Sequence, residues 1–126
     1  MERVPAGRIW AERVGYSRAV RAGTLIEVAG TAASGPDGEV VSPGDVYGQT
    51  RYCLDAVRQA IEALGGRIDQ VVRTRVYLTD VSRWEEAGRA HGEVFGQIRP
   101  ASAFIGVSAL LDPGLLVEVE TTAVVT

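Results

Sequence analysis

The sequence has no lysine, and all 13 of its basic residues are arginines. Lysine forms the Schiff base with carbonyl substrates or with pyridoxal phosphate, so its absence excludes lysine-dependent aldolase and transaminase chemistry. Histidine and cysteine occur once each, which is too few for a zinc site built from those residues. We therefore expect neither a metal ion nor an organic cofactor.

The chain also lacks long apolar runs, basic clusters and a second cysteine. No apolar stretch approaches the roughly 18 residues that a membrane helix needs, so no membrane partner is expected. The N-terminal MERVPAGRIW has no apolar secretion-signal core and Cys53 has no partner, so we expect a cytoplasmic protein. Because the net charge is −3 and no basic run exists, a nucleic-acid partner is disfavoured.

What is present is the composition of a globular domain, with 46% hydrophobic and 23% charged residues. A chain of 126 residues is long enough for one hydrophobic core, and no repeat, low-complexity tract or linker divides it. We predict a single domain over residues 1–126.

A first helix is predicted from Ser42 as N-cap, with Pro43 and Asp45 in its first turn, to the pair Gly65-Gly66. Its apolar stripe at helical spacing comprises Val46, Thr50, Cys53, Leu54, Val57, Ile61 and Leu64. We expect Cys53 on this stripe to be a buried, unreactive thiol.

A second helix is predicted to begin at Ser82, with Glu85 completing a capping box, and to end before Arg99-Pro100. Its apolar stripe comprises Trp84, Ala87, His91, Val94, Phe95 and Ile98. We interpret His91 as a hydrogen-bonded residue at the edge of the stripe rather than as a catalytic base.

Strands are predicted from β-branched content and alternation over Thr24–Gly30, Val71–Leu78, Ala101–Ala109 and Leu115–Val125. The element order β-β-α-β-α-β-β predicts an α+β fold with the helices on one face of the sheet. Alternation places Val72, Thr74, Ala103, Ile105, Val117 and Val119 on the helix-covered face. The helix-free face is expected to combine Arg73, Arg75, Tyr77, Ser102, Phe104, Glu118 and Glu120.

Three segments carry a family resemblance. GYSRAV at residues 15–20 is similar to the motif G-P-Y-S-Q-A-V, and RTRVYLTD at residues 73–80 is similar to K-T-T-V-Y-L-x-D. RPASAFIGVSALLDPGLLVEVE at residues 99–120 is similar to a C-terminal signature. The chain thus resembles the Rid family, the YjgF-type reactive imine/enamine deaminases. The resemblance implies a chorismate-mutase-like fold with a mixed six-stranded sheet, and a trimeric, barrel-like assembly with clefts between its subunits.

The resemblance also implies which residues line such a cleft. Tyr16 matches a tyrosine of the cleft, and Ala29-Gly30 stands where family members have Ser-Gly. Gly88 stands where many members carry an asparagine, and Phe104 replaces a frequent cysteine. The candidate catalytic residue is Glu120, which matches the carboxylate that positions a water molecule.

Ser102 stands where the family has the arginine that holds the substrate's carboxylate. A serine supplies one neutral hydrogen bond, whereas a guanidinium supplies two charged ones, so imino acids from ordinary amino acids are expected to be poor substrates. Arg75 or Arg99 would have to replace the missing anchor. The alternatives are an ion pair of Arg75 with Glu118 or Glu120, across neighbouring strands or between subunits, and a helix-terminal role for Arg99.

These features predict a hydrolase or deaminase that adds water to, or tautomerises, a small imine or enamine in a cleft of a homotrimer. The alternative is a non-catalytic small-ligand-binding or chaperone-like relative, since only catalysis requires Glu120. From alternation alone, the simplest interpretation is that Glu118 and Glu120 are solvated residues on the exposed face of the sheet. RNA cleavage, sometimes attributed to the family, has no support in an acidic chain without a basic patch.

Overall fold

The computed structural model describes all 126 residues, Met1–Thr126, and confirms a mixed six-stranded sheet with two long helices on one face. The strands are β1 (Glu2–Val4), β2 (Ala19–Ala22), β3 (Leu25–Ala32), β4 (Val71–Leu78), β5 (Ala101–Gly106) and β6 (Val117–Val124). The helices are the single turn α1 (Ala11–Val14), α2 (Val46–Ala63) and α3 (Trp84–Phe95). None of them has the length and apolar content needed to cross a membrane.

The strands lie in the order β1-β2-β3-β6-β4-β5. All neighbours are antiparallel except β4 and β5, which are parallel because α3 connects them. This crossover makes β5 an edge strand, with β4 as its only neighbour in the sheet. The short elements β1 and α1 were not predicted from the sequence.

Both helix starts differ from the prediction. Asp45, and not Ser42, caps α2, because its side chain accepts the backbone N–H of Gly48 at 2.8 Å. Likewise Asp80 accepts the backbone N–H of Ser82 at 3.1 Å, capping a 3₁₀ turn that precedes α3. A carboxylate is at least as good an N-cap as a serine, and it also favours the positive end of the helix dipole. The predicted capping box at Ser82 is therefore wrong.

The core lies between the helices and the covered face of the sheet. It includes Ile26, Val28, Cys53, Leu54, Val57, Ile61, Val76, Leu78, Phe95, Val117, Val119 and Ala123. Cys53 is fully buried, and burial raises the pKa of its thiol to about 12, as expected for an unreactive thiol. On α3 and β4, two residues depart from the predicted core: Trp84 is 52% exposed, and a bulge between Val71 and Arg73 leaves Val72 46% exposed.

The predicted faces of β5 are reversed. Ser102 is the register partner of Thr74, and Phe104 is the partner of Val76; both partners are fully buried on the covered face. Ser102 and Phe104 therefore lie on the helix side, and Ile105 lies on the helix-free side with 37% of its surface exposed. The prediction placed the more apolar residues of β5 under the helices. This rule fails here because an edge strand is partly exposed on both faces.

Candidate functional site

A groove of about 1220 Å³ lies beside the helix-free face of the sheet. Its lining comes from the N-terminal segment, from β2 and β3, and from the middle of β4 and β6. Four predicted site residues line it, namely Tyr16, Ala29, Arg75 and Glu120. Trp10 Nε1 donates a hydrogen bond to the Tyr16 hydroxyl at 2.9 Å, which fixes the phenol at the groove wall.

Glu120 is held from one side only. The Tyr77 hydroxyl donates a hydrogen bond to Glu120 Oε1, and this bond raises the pKa of the Tyr77 phenol. Oε2 of the same carboxylate has no hydrogen-bond partner within the chain. The arrangement orients a carboxylate by one oxygen and leaves the other oxygen available to a ligand or a water molecule.

Arg75 is the register partner of Glu120 across β4 and β6, but the two side chains form no ion pair. The ion-pair alternative for Arg75 is therefore wrong within the chain, and the guanidinium faces the groove without a partner. Arg99 donates from Nε to the carbonyl of Gly96 at 3.1 Å, just beyond α3. It occupies the helix-terminal position that the sequence suggested.

The pairing of β3 with β6 shifts register between Val28 and Thr31, and Gly30 lies within this irregular segment. A Cβ at Gly30 would approach Glu118 Oε2 to 2.8 Å, so the carboxylate packs directly over this glycine. Arg18 donates from its guanidinium to the Gly30 carbonyl. Sequence reasoning missed Arg18, because nothing in the motif around it distinguishes it from a surface arginine.

Glu118 has no hydrogen-bond donor, although it is half-buried beside this backbone. Burial raises the pKa of Glu118, and the nearby Glu120 carboxylate raises it further, whereas the Arg18 guanidinium lowers it. Two carboxylates on one face at alternate positions of β6 therefore differ in environment: Glu120 has a phenol donor and Glu118 has none.

The other predicted residues lie on the opposite face, around α3 and the edge strand. Thr74 Oγ1 lies 2.7 Å from Ser102 Oγ and 2.8 Å from His91 Nε2. The His91 ring packs against Phe95 and Phe104, with ring centroids 4.7 and 5.6 Å away. Burial lowers the pKa of His91. This confirms the prediction of a hydrogen-bonded histidine.

Gly88 belongs to the same region, one turn from His91 on α3. A Cβ at Gly88 would meet only the Trp84 ring, at 3.7 Å, so its surroundings are open. The predicted site residues thus form two groups. The groove group comprises Tyr16, Ala29, Arg75 and Glu120, with Gly30 next to Ala29 on β3, and the edge group comprises Gly88, Ser102 and Phe104. The sheet separates the two groups within one chain, contrary to the single mixed face that alternation predicted.

Comparisons with known proteins agree with one another. Residues 8–125 match the family described as Endoribonuclease L-PSP. The uncharacterised protein SCO2049 of Streptomyces coelicolor is 38% identical over 123 residues, which cover 98% of this chain and 91% of the relative. The RutC family protein PH0854 of Pyrococcus horikoshii is 34% identical over 109 residues, covering 86% of this chain and 85% of the relative.

Solved structures give the same result. The structure of Rv2704 from Mycobacterium tuberculosis, described as a member of the YjgF/YER057c/UK114 family, superposes with a TM-score of 0.89 at 45% identity over 98% of both chains. The YjgF gene product of E. coli superposes with a TM-score of 0.83 at 26% identity, also over 98% of both chains. On these matches in sequence and fold, the chain belongs to the YjgF/Rid family, the family also described as Endoribonuclease L-PSP.

Proposed function

We propose that this protein is a Rid-type enzyme that hydrolyses or tautomerises a small imine or enamine in clefts between the subunits of a homotrimer. The observation that carries the proposal is the environment of Glu120. Its Oε1 is fixed by Tyr77, its Oε2 is unpartnered, and it faces a groove large enough for a small molecule. A carboxylate held in this way is suited to bind and activate a water molecule.

In the proposed hydrolysis, the water held by Glu120 attacks the carbon of the C=N bond. The water gives one proton to Glu120, and the C=N electron pair moves to nitrogen, which takes up a proton. Glu120 releases this proton to solvent. The resulting carbinolamine then collapses: its hydroxyl gives a proton to Glu120, the nitrogen gains a second proton, and ammonia leaves as the carbonyl forms. Tautomerisation of an enamine needs only the proton transfers.

The proposed assembly joins the two groups of site residues. Because the sheet separates Glu120 from Ser102 and Phe104 within a chain, a complete cleft requires the groove of one subunit and the edge strand of the next. Exposed apolar side chains near that edge support an interface there: Val81 is 50% exposed, Trp84 52% and Ile105 37%. In the assembled cleft, substrate would pack between Tyr16 of one subunit and Phe104 of its neighbour.

The proposed substrate lacks an α-carboxylate. At the position where the resemblance implies a guanidinium, the chain has the neutral hydroxyl of Ser102, and at the implied asparagine it has Gly88. Both changes enlarge the cleft and reduce its polarity. Arg75 remains as an unpaired cation on the groove side, where it would bind a polar group elsewhere on the substrate.

A non-catalytic ligand-binding relative is the second candidate, because Gly88 and Ser102 remove two polar groups from the inferred cleft. RNA cleavage is not proposed, since acidic residues such as Glu12, Glu27 and Glu120 accompany the arginines in the groove and the net charge is −3. We further propose a single functional domain over residues 1–126, without a metal or cofactor, in the cytoplasm.

The test uses two imines that differ only in the carboxylate. A flavin amino-acid oxidase produces the imino acid of L-phenylalanine, and a flavin amine oxidase produces the imine of 2-phenylethylamine. Semicarbazide traps whatever imine survives, so hydrolysis by this protein lowers the semicarbazone yield and speeds ammonia release. We expect faster turnover of the second imine, and a loss of about 10²–10⁴-fold in Glu120→Gln.

The matched control is Glu62→Gln, an exposed carboxylate on α2 far from the groove, which should retain the wild-type rate. Near-wild-type turnover by a trimeric Glu120→Gln variant would remove Glu120 from the mechanism. No turnover of either imine, combined with saturable binding of the 2-phenylethylamine product aldehyde, would favour the binding protein instead.

A further inference from the structure

The chain's only histidine is connected to the protein surface through two hydroxyl groups. His91 Nε2 lies 2.8 Å from Thr74 Oγ1, which lies 2.7 Å from Ser102 Oγ. Thr74 is fully buried, and Ser102 is exposed. These three side chains, called the row below, therefore lead from a half-buried imidazole, through a buried hydroxyl, to a hydroxyl at the edge of the sheet.

Each member of this row can both donate and accept a hydrogen bond. A hydroxyl has one proton and two lone pairs, and a neutral imidazole has one donor nitrogen and one acceptor nitrogen. With His91 Nε2–H donating to Thr74, and Thr74 donating to Ser102, the Ser102 hydroxyl is free to donate outward. Thr74 is the required link, because no hydrogen bond joins His91 directly to Ser102.

No charged side chain shifts the pKa of the imidazole, which is lowered by burial alone. Its contacts include Thr74 from β4, Phe104 from β5 and Phe95 from α3, and none of these three titrates near neutral pH. No carboxylate orients the ring, unlike the histidine of a serine-protease triad. The His91 Nδ1 atom has no hydrogen-bond partner within the chain and does not belong to the buried unpartnered polar atoms, so it can exchange protons with solvent.

We propose that His91, Thr74 and Ser102 form a proton relay that delivers protons to the nitrogen of the substrate, with Ser102 as the donor in contact with it. This inference rests on the proposed function, since the nitrogen belongs to the imine. It identifies the source of the proton that the imine nitrogen takes up. Glu120 takes a proton from the attacking water, and the relay gives a proton to nitrogen from the other side of the cleft.

The proton transfers balance. Protonated His91 gives its Nε2 proton to Thr74, the Thr74 hydroxyl proton moves to Ser102, and the Ser102 proton moves to the substrate nitrogen. Both hydroxyls end neutral, and His91 ends neutral with its remaining proton on Nδ1. A proton from solvent then restores the cation, and Glu120 releases to solvent the proton that it took from water, so that no net proton is consumed. Because only the protonated imidazole can start the transfer, the rate should fall as pH rises above the pKa of His91.

The relay also gives Ser102 a role other than that of a weaker carboxylate anchor. A guanidinium at this position would bring a fixed positive charge and could not be deprotonated. A serine connected to a histidine instead offers a proton that can be replaced. Such a site suits an uncharged imine, in which nitrogen is the most basic atom.

The first experiment needs no substrate. With a single histidine, the ¹⁵N spectrum of labelled protein contains one pair of imidazole signals, and both are followed against pH. Thr74→Val removes the central hydroxyl and should speed exchange of the Nε2 proton, whereas Thr74→Ser should restore the wild-type behaviour. Ser102→Ala should shift the Nε2 signal through Thr74. The control Ala101→Ser, on the same strand outside the row, should leave it unchanged.

The second experiment measures hydrolysis of the 2-phenylethylamine imine against pH. The wild type should lose activity tenfold per pH unit above the His91 pKa found by NMR. Thr74→Val and His91→Gln should each lower the rate by about 10²–10⁴-fold and flatten the profile, with no further loss in the double variant, and Thr74→Ser should recover it.

The outcomes separate the two proposals. Turnover that depends on Glu120, but keeps its rate and pH profile in folded Thr74→Val and His91→Gln, overturns the relay alone. A wild-type protein that hydrolyses neither imine overturns both proposals. Nε2 signals that respond equally to Ser102→Ala and Ala101→Ser also overturn the relay, because they would show no specific connection between Ser102 and His91.

Discussion

Glu120 accepts its hydrogen bond from Tyr77 and not from Arg75, although Arg75 is its direct register partner on β4. The phenol therefore orients the carboxylate, while the guanidinium stays free on the same side of the sheet. An ion pair would have neutralised both groups and filled the space between them. The observed arrangement keeps one cation and one carboxylate oxygen available in a single groove.

Tyr77→Phe tests the role of this phenol. Removing the donor should leave the fold intact and lower turnover by roughly 10- to 100-fold, because a hydrogen bond to a charged group contributes about 1.5–3 kcal/mol. The measurement is the rate of imine hydrolysis, with Tyr52→Phe on α2 as the matched control. Equal rates for both variants would mean that Tyr77 does not orient Glu120.

Glu118→Gln should stabilise the protein at neutral pH. The pKa of Glu118 is raised in the folded state, so this residue favours folding most below its unfolded pKa, and that stability is lost as pH rises through the folded value. At pH 7 the variant should gain up to about 1 kcal/mol of unfolding free energy, after allowance for solvent screening. Urea denaturation at pH 7 and near pH 4 measures the difference. A gain of equal size at both pH values would contradict the assignment.

Ser102→Arg should shift the substrate preference toward imino acids. A guanidinium at this exposed position can form two charged hydrogen bonds with a carboxylate, which is worth at least tenfold in affinity. The ratio of rates for the phenylalanine and 2-phenylethylamine imines reports the change, since the two compounds share everything else. An unchanged ratio would mean that residue 102 does not contact the substrate.

The protein should be a trimer in solution. Light scattering is expected to give about three times the subunit mass of 13.4 kDa, because a single chain leaves both the groove and the apolar edge uncovered. A mass of one subunit at micromolar concentration would exclude a cleft between subunits.

Sequence patterns predicted the fold well and the arrangement of the site poorly. β4 was predicted with its observed bounds, Val71–Leu78, because β-branched residues and a helix on either side leave little ambiguity. The faces of β5 could not be predicted from polarity. They follow from its register with β4, and Ser102 gains a hydrogen-bond partner by turning toward Thr74.

Other features of the site depend on contacts between residues distant in sequence. The hydrogen bond from Tyr77 to Glu120 connects β4 and β6, two strands that no local pattern brings together. The capping error at Ser42 has a local cause, since Ser42 and Asp45 are both good N-caps and only the observed backbone shows that Asp45 was used.

Mixing of inactive subunits tests most directly whether the active site forms between neighbouring chains. Glu120→Gln disables the groove group, and Gly88→Phe blocks the edge group at an open position; each should be inactive alone. Co-refolded in equal amounts, they should recover about a quarter of wild-type imine hydrolysis, since one in four neighbouring pairs combines an intact groove with an intact edge. A mixture no more active than its separate components, with mixed trimers present, would contradict a cleft shared between subunits.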